Sequence, residues 1–147
     1  MIRSLLLTAS AIASLALMPA AAQAQDCNAA CMGDLANRFM DAMAKSDPRG
    51  LPWGEKVGYA ENSTKVRIGE SSWVTIKERS KAPLIVADPQ TSRVVWLGSI
   101  NDHGQPGFYA MDMQVKGGKI TQVQSVIRRK EGRQPFGDPT SYAADKK

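Results

Sequence analysis

The order of the elements constrains the fold of this chain most: one helical pattern comes first, and short strand patterns follow it. From residue 26 to residue 46, apolar side chains recur at helical spacing and charged side chains occupy the rest of the cylinder. The apolar positions include Leu35, Phe39, Ala42 and Met43. Asp26 can cap the start of this helix, and Asp47-Pro48 ends it, because a residue before proline disfavours helical backbone angles.

Seven short segments after the helix have the composition and alternation of strands with one buried face. They cover residues 57–61, 65–69, 73–77, 84–87, 93–100, 108–115 and 119–129. Gly117-Gly118 can adopt positive φ at both positions, so we expect the last two strands to form a hairpin. The segment 101–107, with two glycines and a proline, would join the preceding pair similarly. The expected fold is α+β, with the N-terminal helix packed in a curved antiparallel sheet as a cone-shaped barrel.

The first 24 residues have the pattern of a secretory signal peptide. Arg3 supplies the positive start, residues 5–18 form an uncharged apolar run, and Ala22-Gln23-Ala24 offers a cleavage site. An uncleaved membrane anchor is the alternative, but the run is short for a bilayer span. We expect a periplasmic or secreted protein that has no membrane segment after cleavage. Its folded domain would span residues 25–130, followed by a flexible polar tail at 131–147.

The distribution of charged residues along the sequence does not indicate nucleic-acid binding. The chain has 19 basic and 14 acidic side chains, and the basic ones are scattered except at Arg128-Arg129-Lys130. This triplet follows the pattern of a solvated strand end, so we expect no nucleic-acid partner.

Cys27 and Cys31 are the only cysteines and lie one helical turn apart. In an oxidising compartment they can form a disulfide that pins the first turn of the helix. Free catalytic thiols are the less favoured alternative. One histidine and two cysteines do not make the usual zinc ligand set, so we expect no metal site.

Strand alternation directs one acidic side chain into the predicted cone. Tyr109 and Met111 share the inward face of their strand, and Val57, Tyr59 and Glu61 share a face of the first strand. The apolar and aromatic neighbours identify that face as the buried one. A buried carboxylate without a paired cation can exchange a proton near neutrality, which suits general acid–base catalysis.

Other interpretations of these side chains remain open. Glu61 could instead form a structural ion pair, for which the candidate cations are Arg79, Lys65 and Arg67. Tyr59 and Tyr109 could donate to a substrate oxygen or could be core residues. His103 could assist catalysis or lie on the surface. Large apolar side chains suit a pocket for a flat ligand, and the candidates are Trp53, Trp73, Trp96, Tyr109 and Met111.

Three stretches of the sequence resemble the nuclear transport factor 2-like superfamily, in particular its SnoaL-like members. They cover residues 39–48, 57–62 and 118–123. A cysteine pair before the first helix also resembles one exported branch of this group. The resemblance implies the cone fold and pairing of copies through the outer face of the sheet, where Phe108 and Ala110 would lie. A homodimer or homotrimer is therefore expected.

The resemblance also implies site residues. Ketosteroid isomerase-like members have a catalytic Asp at the end of the first strand, and Glu61 occupies the matching position. The family's first-helix Tyr falls at Phe39, which cannot donate a hydrogen bond, and this departure argues against steroid-type isomerisation. Dehydratase-like relatives use a cavity His with an Asp, and His103 is the single candidate here.

We therefore expect a cofactor-independent acid/base enzyme of lyase, dehydratase or isomerase type, acting on a small aromatic or cyclic molecule in an apolar cavity. Glu61 would move the proton, Tyr59 or Tyr109 would hold the oxygen that gains charge, and Arg79 or His103 would assist. The alternative is a non-catalytic periplasmic domain that binds a small molecule or serves in assembly.

Overall fold

The computed structural model describes residues 27–130, together with Gly132 and Pro139. The predicted signal peptide lies outside the described residues, and so does the predicted tail apart from these two positions. Within the described part of the chain, no helix combines the length and the apolar character needed to cross a bilayer.

The described residues form two α-helices, a 3₁₀ turn and seven strands. In chain order they are α1 (Ala29–Ala44), the 3₁₀ turn (Pro48–Gly50), β1 (Trp53–Glu61), β2 (Thr64–Lys65), α2 (Ser72–Thr75), β3 (Ile76–Arg79), β4 (Leu84–Asp88), β5 (Arg93–Asp102), β6 (Gln105–Lys116) and β7 (Lys119–Arg129).

The strands form one curved, unclosed sheet in the order β2-β1-β7-β6-β5-β3, and β4 also pairs with β5. The predicted α+β fold is confirmed. The sheet is mixed, however, because β1 and β7 run parallel while the other pairs are antiparallel. Two strands joined by a short turn must run antiparallel. Most of the chain separates β1 from β7, so the connection between them does not restrict their relative direction.

Two tight turns set the register of the last three strands. Gly117 and Gly118 have φ of 54° and 71°, and β6 and β7 pair up to the residues on either side of them. This confirms the predicted hairpin. His103 and Gly104, with φ of 54° and 76°, join β5 to β6. The turn is therefore shorter than the predicted loop at 101–107, because both strands extend into it.

Two predicted strands differ from the structure. The strand predicted at 65–69 is reduced to the two residues of β2, and the strand predicted at 73–77 begins with the helical turn α2. Ser71, at the start of α2, has φ 56° and ψ −119°. The aromatic and β-branched residues that follow favour a strand in isolation. In the fold this turn instead carries Trp73 into the core, where its exposure is 0%.

Helix α1 packs its apolar face on the concave side of the sheet. Its buried side chains are Met32, Leu35, Ala36, Phe39, Met40 and Met43. The helix begins after Asn28, whose side-chain oxygen accepts a hydrogen bond from the backbone N–H of Cys31 at 3.0 Å. The predicted cap, Asp26, lies outside the described residues. Cys27 and Cys31 form the predicted disulfide at this end of the helix.

Phe39 occupies the centre of the core. Its ring meets those of Trp53, Tyr59 and Trp73 at centroid distances of 6.1, 6.4 and 5.1 Å. All three contacts are edge-to-face, which is a favourable geometry for aromatic pairs. The middle of the concave face is therefore filled by packed rings.

Candidate active site

Glu61 is the last residue of β1, and its side chain points into the fold with a residue exposure of 5%. Carboxylate oxygen Oε1 accepts hydrogen bonds from the Tyr59 hydroxyl and from the Ser72 hydroxyl. Oxygen Oε2 accepts one from the backbone N–H of Ser72 at 3.3 Å. The two hydroxyl oxygens lie 3.3 Å apart. We call these three residues the Glu61 cluster.

Local backbone geometry brings the cluster together. β1 ends at Glu61 because Asn62 and Ser63 have φ of 47° and 66° and turn the chain toward β2. The Asn62 backbone N–H donates to the carbonyl of Ser125 at 2.8 Å, and the Asn62 side-chain oxygen accepts from the N–H of Ile127 at 2.9 Å. These bonds fasten the end of β1 to β7.

No lysine or arginine within the described residues forms an ion pair with Glu61. Arg79 instead pairs with Asp41 of α1, with its Nε 2.7 Å from Oδ1, and Arg67 lies 3.6 Å from Glu70. The structural ion pair considered for Glu61 is therefore not formed in this structure. In the part of the chain that the structure describes, its carboxylate is held by neutral donors alone.

The two tyrosines differ in their hydrogen bonds. Burial raises the pKa of Tyr59, and the nearby Tyr109 and Glu61 raise it further. Tyr59 therefore stays protonated, and its hydroxyl donates a hydrogen bond to Glu61. Burial also raises the pKa of Tyr109. The Tyr109 hydroxyl is enclosed and makes no well-aligned hydrogen bond within the described part of the chain, although Tyr59 and Ser125 are its polar neighbours.

An open cleft of about 400 Å³ lies beside the cluster, and we call it the Glu61 cleft. It is lined by Glu61, Asn62, Thr64, Val66, Ser71, Ser72, Ile127, Arg128 and Arg129. Most of these side chains are polar. The carboxylate is therefore largely withdrawn from bulk water and lies at the wall of an open cleft.

The residues predicted to bind an apolar substrate do not line this cleft. Trp73, Trp96, Tyr109 and Met111 are each at most 1% exposed and belong to the core. Trp53 is half-buried, and its Nε1 donates to the carbonyl of Pro48 at 2.8 Å. The predicted apolar pocket is thus occupied by protein, because α1 packs its side chains into the concave face. The cleft that reaches Glu61 is polar instead.

The structure does not bring Arg79 or His103 into contact with Glu61. Arg79 lies on β3 and bonds to Asp41 and to the carbonyl of Ser80. His103 lies in the β5–β6 turn, and its Nδ1 is 3.0 Å from Oδ1 of Asp102. Within the described residues, no group of three or more His, Cys, Asp or Glu side chains is arranged to hold a metal ion.

Sequence reasoning missed Ser72, and it missed the contact between Asp102 and Arg129. Asp102 is fully buried, and its Oδ2 accepts a hydrogen bond from Nε of Arg129 at 2.5 Å. Burial alone would raise the pKa of Asp102, but hydrogen bonds from Thr75 and Arg129 outweigh it and hold the pKa below its usual value. Alternation along β5 was the available signal, since Asp102 shares the inward face of Trp96 and Ile100.

Several solved structures are similar to this one. AclR from Streptomyces galilaeus, described as a candidate hydroxylase, has a TM-score of 0.53 and 14% identity over 69% of this chain and 81% of its own. A candidate isomerase from Bacillus subtilis has a TM-score of 0.53 and 13% identity, over 67% of this chain and 87% of its own. An NTF2-like protein from Burkholderia xenovorans has a TM-score of 0.51 and 14% identity, over 69% and 92%.

A scan of protein-family models finds no match to the sequence, and a comparison with curated proteins finds none either. The structural likeness extends over most of the described residues and includes proteins named for the NTF2-like fold. The chain therefore has the nuclear transport factor 2-like fold that the resemblance in its sequence implies.

Proposed function

We propose that this protein is an acid/base enzyme of lyase, dehydratase or isomerase type, in which Glu61 accepts a proton from a small, cyclic or aromatic substrate. One observation supports this proposal most: Glu61 is buried, lines an open cleft and has no cationic partner within the described residues. Carboxylates in such surroundings are common general bases. The reaction as proposed uses no cofactor.

The hydrogen bonds of Glu61 give its two oxygens different roles. Oε1 accepts hydrogen bonds from the hydroxyls of Tyr59 and Ser72, so these two residues position the carboxylate. Oε2 accepts one long hydrogen bond, so it has lone pairs left to receive a substrate proton. The proton then returns to another carbon in an isomerisation. In an elimination, the electron pair of the broken C–H bond forms a double bond, and the leaving group departs with the electron pair of its own bond to carbon. Fixed orientation lowers the entropic cost of either reaction.

Negative charge that develops on a substrate oxygen requires hydrogen-bond donors. Tyr59 already donates to Glu61, so we assign this role to donors at the cleft wall. The side-chain oxygen of Asn62 accepts from the N–H of Ile127, and the amide N–H groups of Asn62 make no hydrogen bond within the described residues. Ser71 also lines the cleft with an exposed side chain.

The comparisons support small-molecule chemistry at the level of the fold. Two of the similar structures are described as a candidate hydroxylase and a candidate isomerase, so this fold accommodates such reactions. We also propose that the protein acts in the periplasm or is secreted. The disulfide between Cys27 and Cys31 supports this location, because such bonds persist in oxidising compartments.

The elimination of 5-nitrobenzisoxazole tests the proposed base without knowledge of the natural substrate. A base removes the proton on its C3, a nitrile forms, the N–O bond breaks, and a coloured phenolate is released. We expect the wild-type protein to accelerate this reaction over buffer. Glu61→Gln should lower kcat/KM by at least about a hundredfold, because general bases contribute at least that factor.

Glu55→Gln is the matched control, since Glu55 is an exposed carboxylate on the same strand. It should leave the rate unchanged, and circular dichroism should show both variants folded. Equal rates for Glu61→Gln and wild type would refute Glu61 as the base. No acceleration by the wild type would favour the alternative, a domain that binds a small molecule without reaction.

We further propose that two or three copies associate through the outer face of the sheet. Leu84, Leu97, Ala110 and Val126 lie opposite one another in a row across four strands. Leu84 and Val126 are 61% and 60% exposed, which is costly for aliphatic side chains. A second copy covers such a row by self-complementary packing.

Sedimentation velocity at micromolar concentration checks this association. The wild type should sediment as a dimer or trimer, and Val126→Lys should shift it to monomer because a buried lysine charge is strongly unfavourable. Val74→Lys is the control, since Val74 is equally exposed but lies on α2. A wild-type monomer, or a Val126→Lys variant that still associates, would contradict the proposal.

A further inference from the structure

A buried carboxylate holds the guanidinium of Arg129 at the wall of the Glu61 cleft. The side chain of Asp102 is 1% exposed, and its Oδ2 accepts from Nε of Arg129 at 2.5 Å. Its Oδ1 lies 3.0 Å from Nδ1 of His103, and the hydroxyl of Thr75 donates to the same carboxylate. Asp102 is thus fixed by three neighbours, and it fixes Arg129 in turn.

A glycine allows β6 and β7 to approach each other closely beside this contact. Arg129 on β7 and Asp102 on β5 are separated by β6, and the residue of β6 opposite Arg129 is Gly107. A Cβ atom on Gly107 would lie 2.9 Å from the carbonyl oxygen of Arg128 and 3.4 Å from the Cα of Arg129. With no side chain there, the backbone of β7 can lie close to β6 at Arg129, the residue whose side chain binds Asp102.

The hydrogen bonds of Arg129 occupy only part of its guanidinium. Nε binds Asp102, and Nη2 lies 3.4 Å from Nδ1 of His103, whereas Nη1 makes no hydrogen bond within the described residues. The side chain is 46% exposed, and Arg129 is among the residues that line the Glu61 cleft. A guanidinium of fixed orientation with free Nη donors presents the fork that binds carboxylates in two parallel hydrogen bonds.

We propose that the molecule taken into the Glu61 cleft is a small carboxylic acid, and that Arg129 binds its carboxylate while its reacting end meets Glu61. This inference rests on the proposed function, because it specifies the substrate class of the same cleft. Charge sets the orientation, since the substrate carboxylate is repelled by Glu61 and attracted by Arg129.

The spacing along β7 limits the length of the substrate. Glu61 pairs with Ser125 across β1 and β7, and Arg129 lies four residues further along β7. At about 3.3 Å per residue, these backbone positions are about 13 Å apart. The side chains of Glu61 and Arg129 extend into this gap and shorten it. A molecule with one ring and a short chain therefore fits between their charged ends. The cleft volume of about 400 Å³ is adequate for such a molecule.

Matched acids and amides test the proposal. The probes are benzoate, phenylacetate and cinnamate, each compared with its primary amide by isothermal titration calorimetry at neutral pH. We expect the wild type to bind at least one acid at least about tenfold more tightly than its amide, which is about 1.4 kcal/mol. Arg129→Gln should bring this ratio close to one. Lys119→Gln, which removes an exposed charge at the far end of β7, should preserve it.

Two further variants keep the test decisive. Arg129→Lys retains the charge but loses the planar fork, so we expect a ratio of about threefold even if the glutamine variant fails to fold. Glu61→Gln should bind the acids at least as tightly as wild type, which separates this inference from the proposed catalysis. A full acid preference in a folded Arg129 variant would overturn the inference. It would also be overturned if no acid bound better than its amide, or if none bound up to about 10 mM.

Discussion

Phe39→Ala is expected to lower the free energy of unfolding by about 3–5 kcal/mol, the usual loss for a buried phenylalanine. Phe39 is 0% exposed and contacts three aromatic rings, so its removal would leave a cavity that stiff neighbours cannot fill. Urea denaturation followed by circular dichroism measures this loss.

Val74→Ala is the control for the Phe39 variant. Val74 is 58% exposed, so the change should stay within about 0.5 kcal/mol. A loss below about 1 kcal/mol for Phe39→Ala would show that the centre of the concave face is loosely packed. In that case an apolar ligand could enter there, as the sequence predicts, and the tryptophans would regain their predicted role.

Asp102→Asn is expected to lower the free energy of unfolding by about 3 kcal/mol at neutral pH. Asparagine keeps the shape of the side chain but leaves Arg129 without its counter-charge, and breaking one partner of a buried ion pair costs about 3–5 kcal/mol. The expected loss lies at the lower end of that range because the Arg129 side chain is partly exposed.

The pH dependence isolates the charge of Asp102. Its pKa is lower in the folded protein than the usual value of 3.8, so the carboxylate stabilises the fold above that value. This contribution is lost as the pH falls through the folded pKa. The stability difference between wild type and Asp102→Asn should therefore be complete at neutral pH and should shrink as the pH falls below 3.8.

Asp34→Asn is the control for Asp102→Asn, because Asp34 is an exposed carboxylate on α1. It should change neither the stability at neutral pH nor the acid limb of the profile by more than about 0.5 kcal/mol. A difference for Asp102→Asn that stays constant as the pH falls below 3.8 would show that the side-chain shape, and not its charge, supports Arg129.

Local sequence patterns were sufficient for α1, for the β6–β7 hairpin and for the inward direction of Glu61, but not for β2 and α2 beside the site. The spacing of apolar residues predicts α1, and the glycine pair predicts the β6–β7 hairpin, because both signals lie within a few residues of one another. Alternation along β1 correctly directs Glu61 inward, where it is 5% exposed. Once the ends of that strand are known, the face of each of its residues follows.

The partners of the site residues could not be predicted in the same way. Arg79 binds Asp41, which is 38 positions away, and Arg129 binds Asp102, which is 27 positions away. Such contacts depend on the register of several strands at once. Ser72 was missed for another reason. It reaches Glu61 because the backbone at Ser71 has a positive φ, and a serine in the sequence does not predict such an angle.

Aromatic residues illustrate a different limit of sequence reasoning. Trp73 and Trp96 have the composition expected of a ligand pocket and equally that of a core. Whether they line a pocket or form a core depends on whether α1 leaves empty space at the concave face of the sheet. Phe39 fills that space here, so the accessible surface near Glu61 is left to polar side chains of β2, α2 and β7.

The central place of β7 has a consequence for the order of assembly. β7 pairs with β6 on one side and with β1 on the other, so the earliest strand of the sheet docks against the latest one. Contacts between such distant parts of a chain form slowly, because a large loop must close first. One wall of the Glu61 cleft belongs to β7, so during biosynthesis the cleft comes into existence only when the sheet is completed.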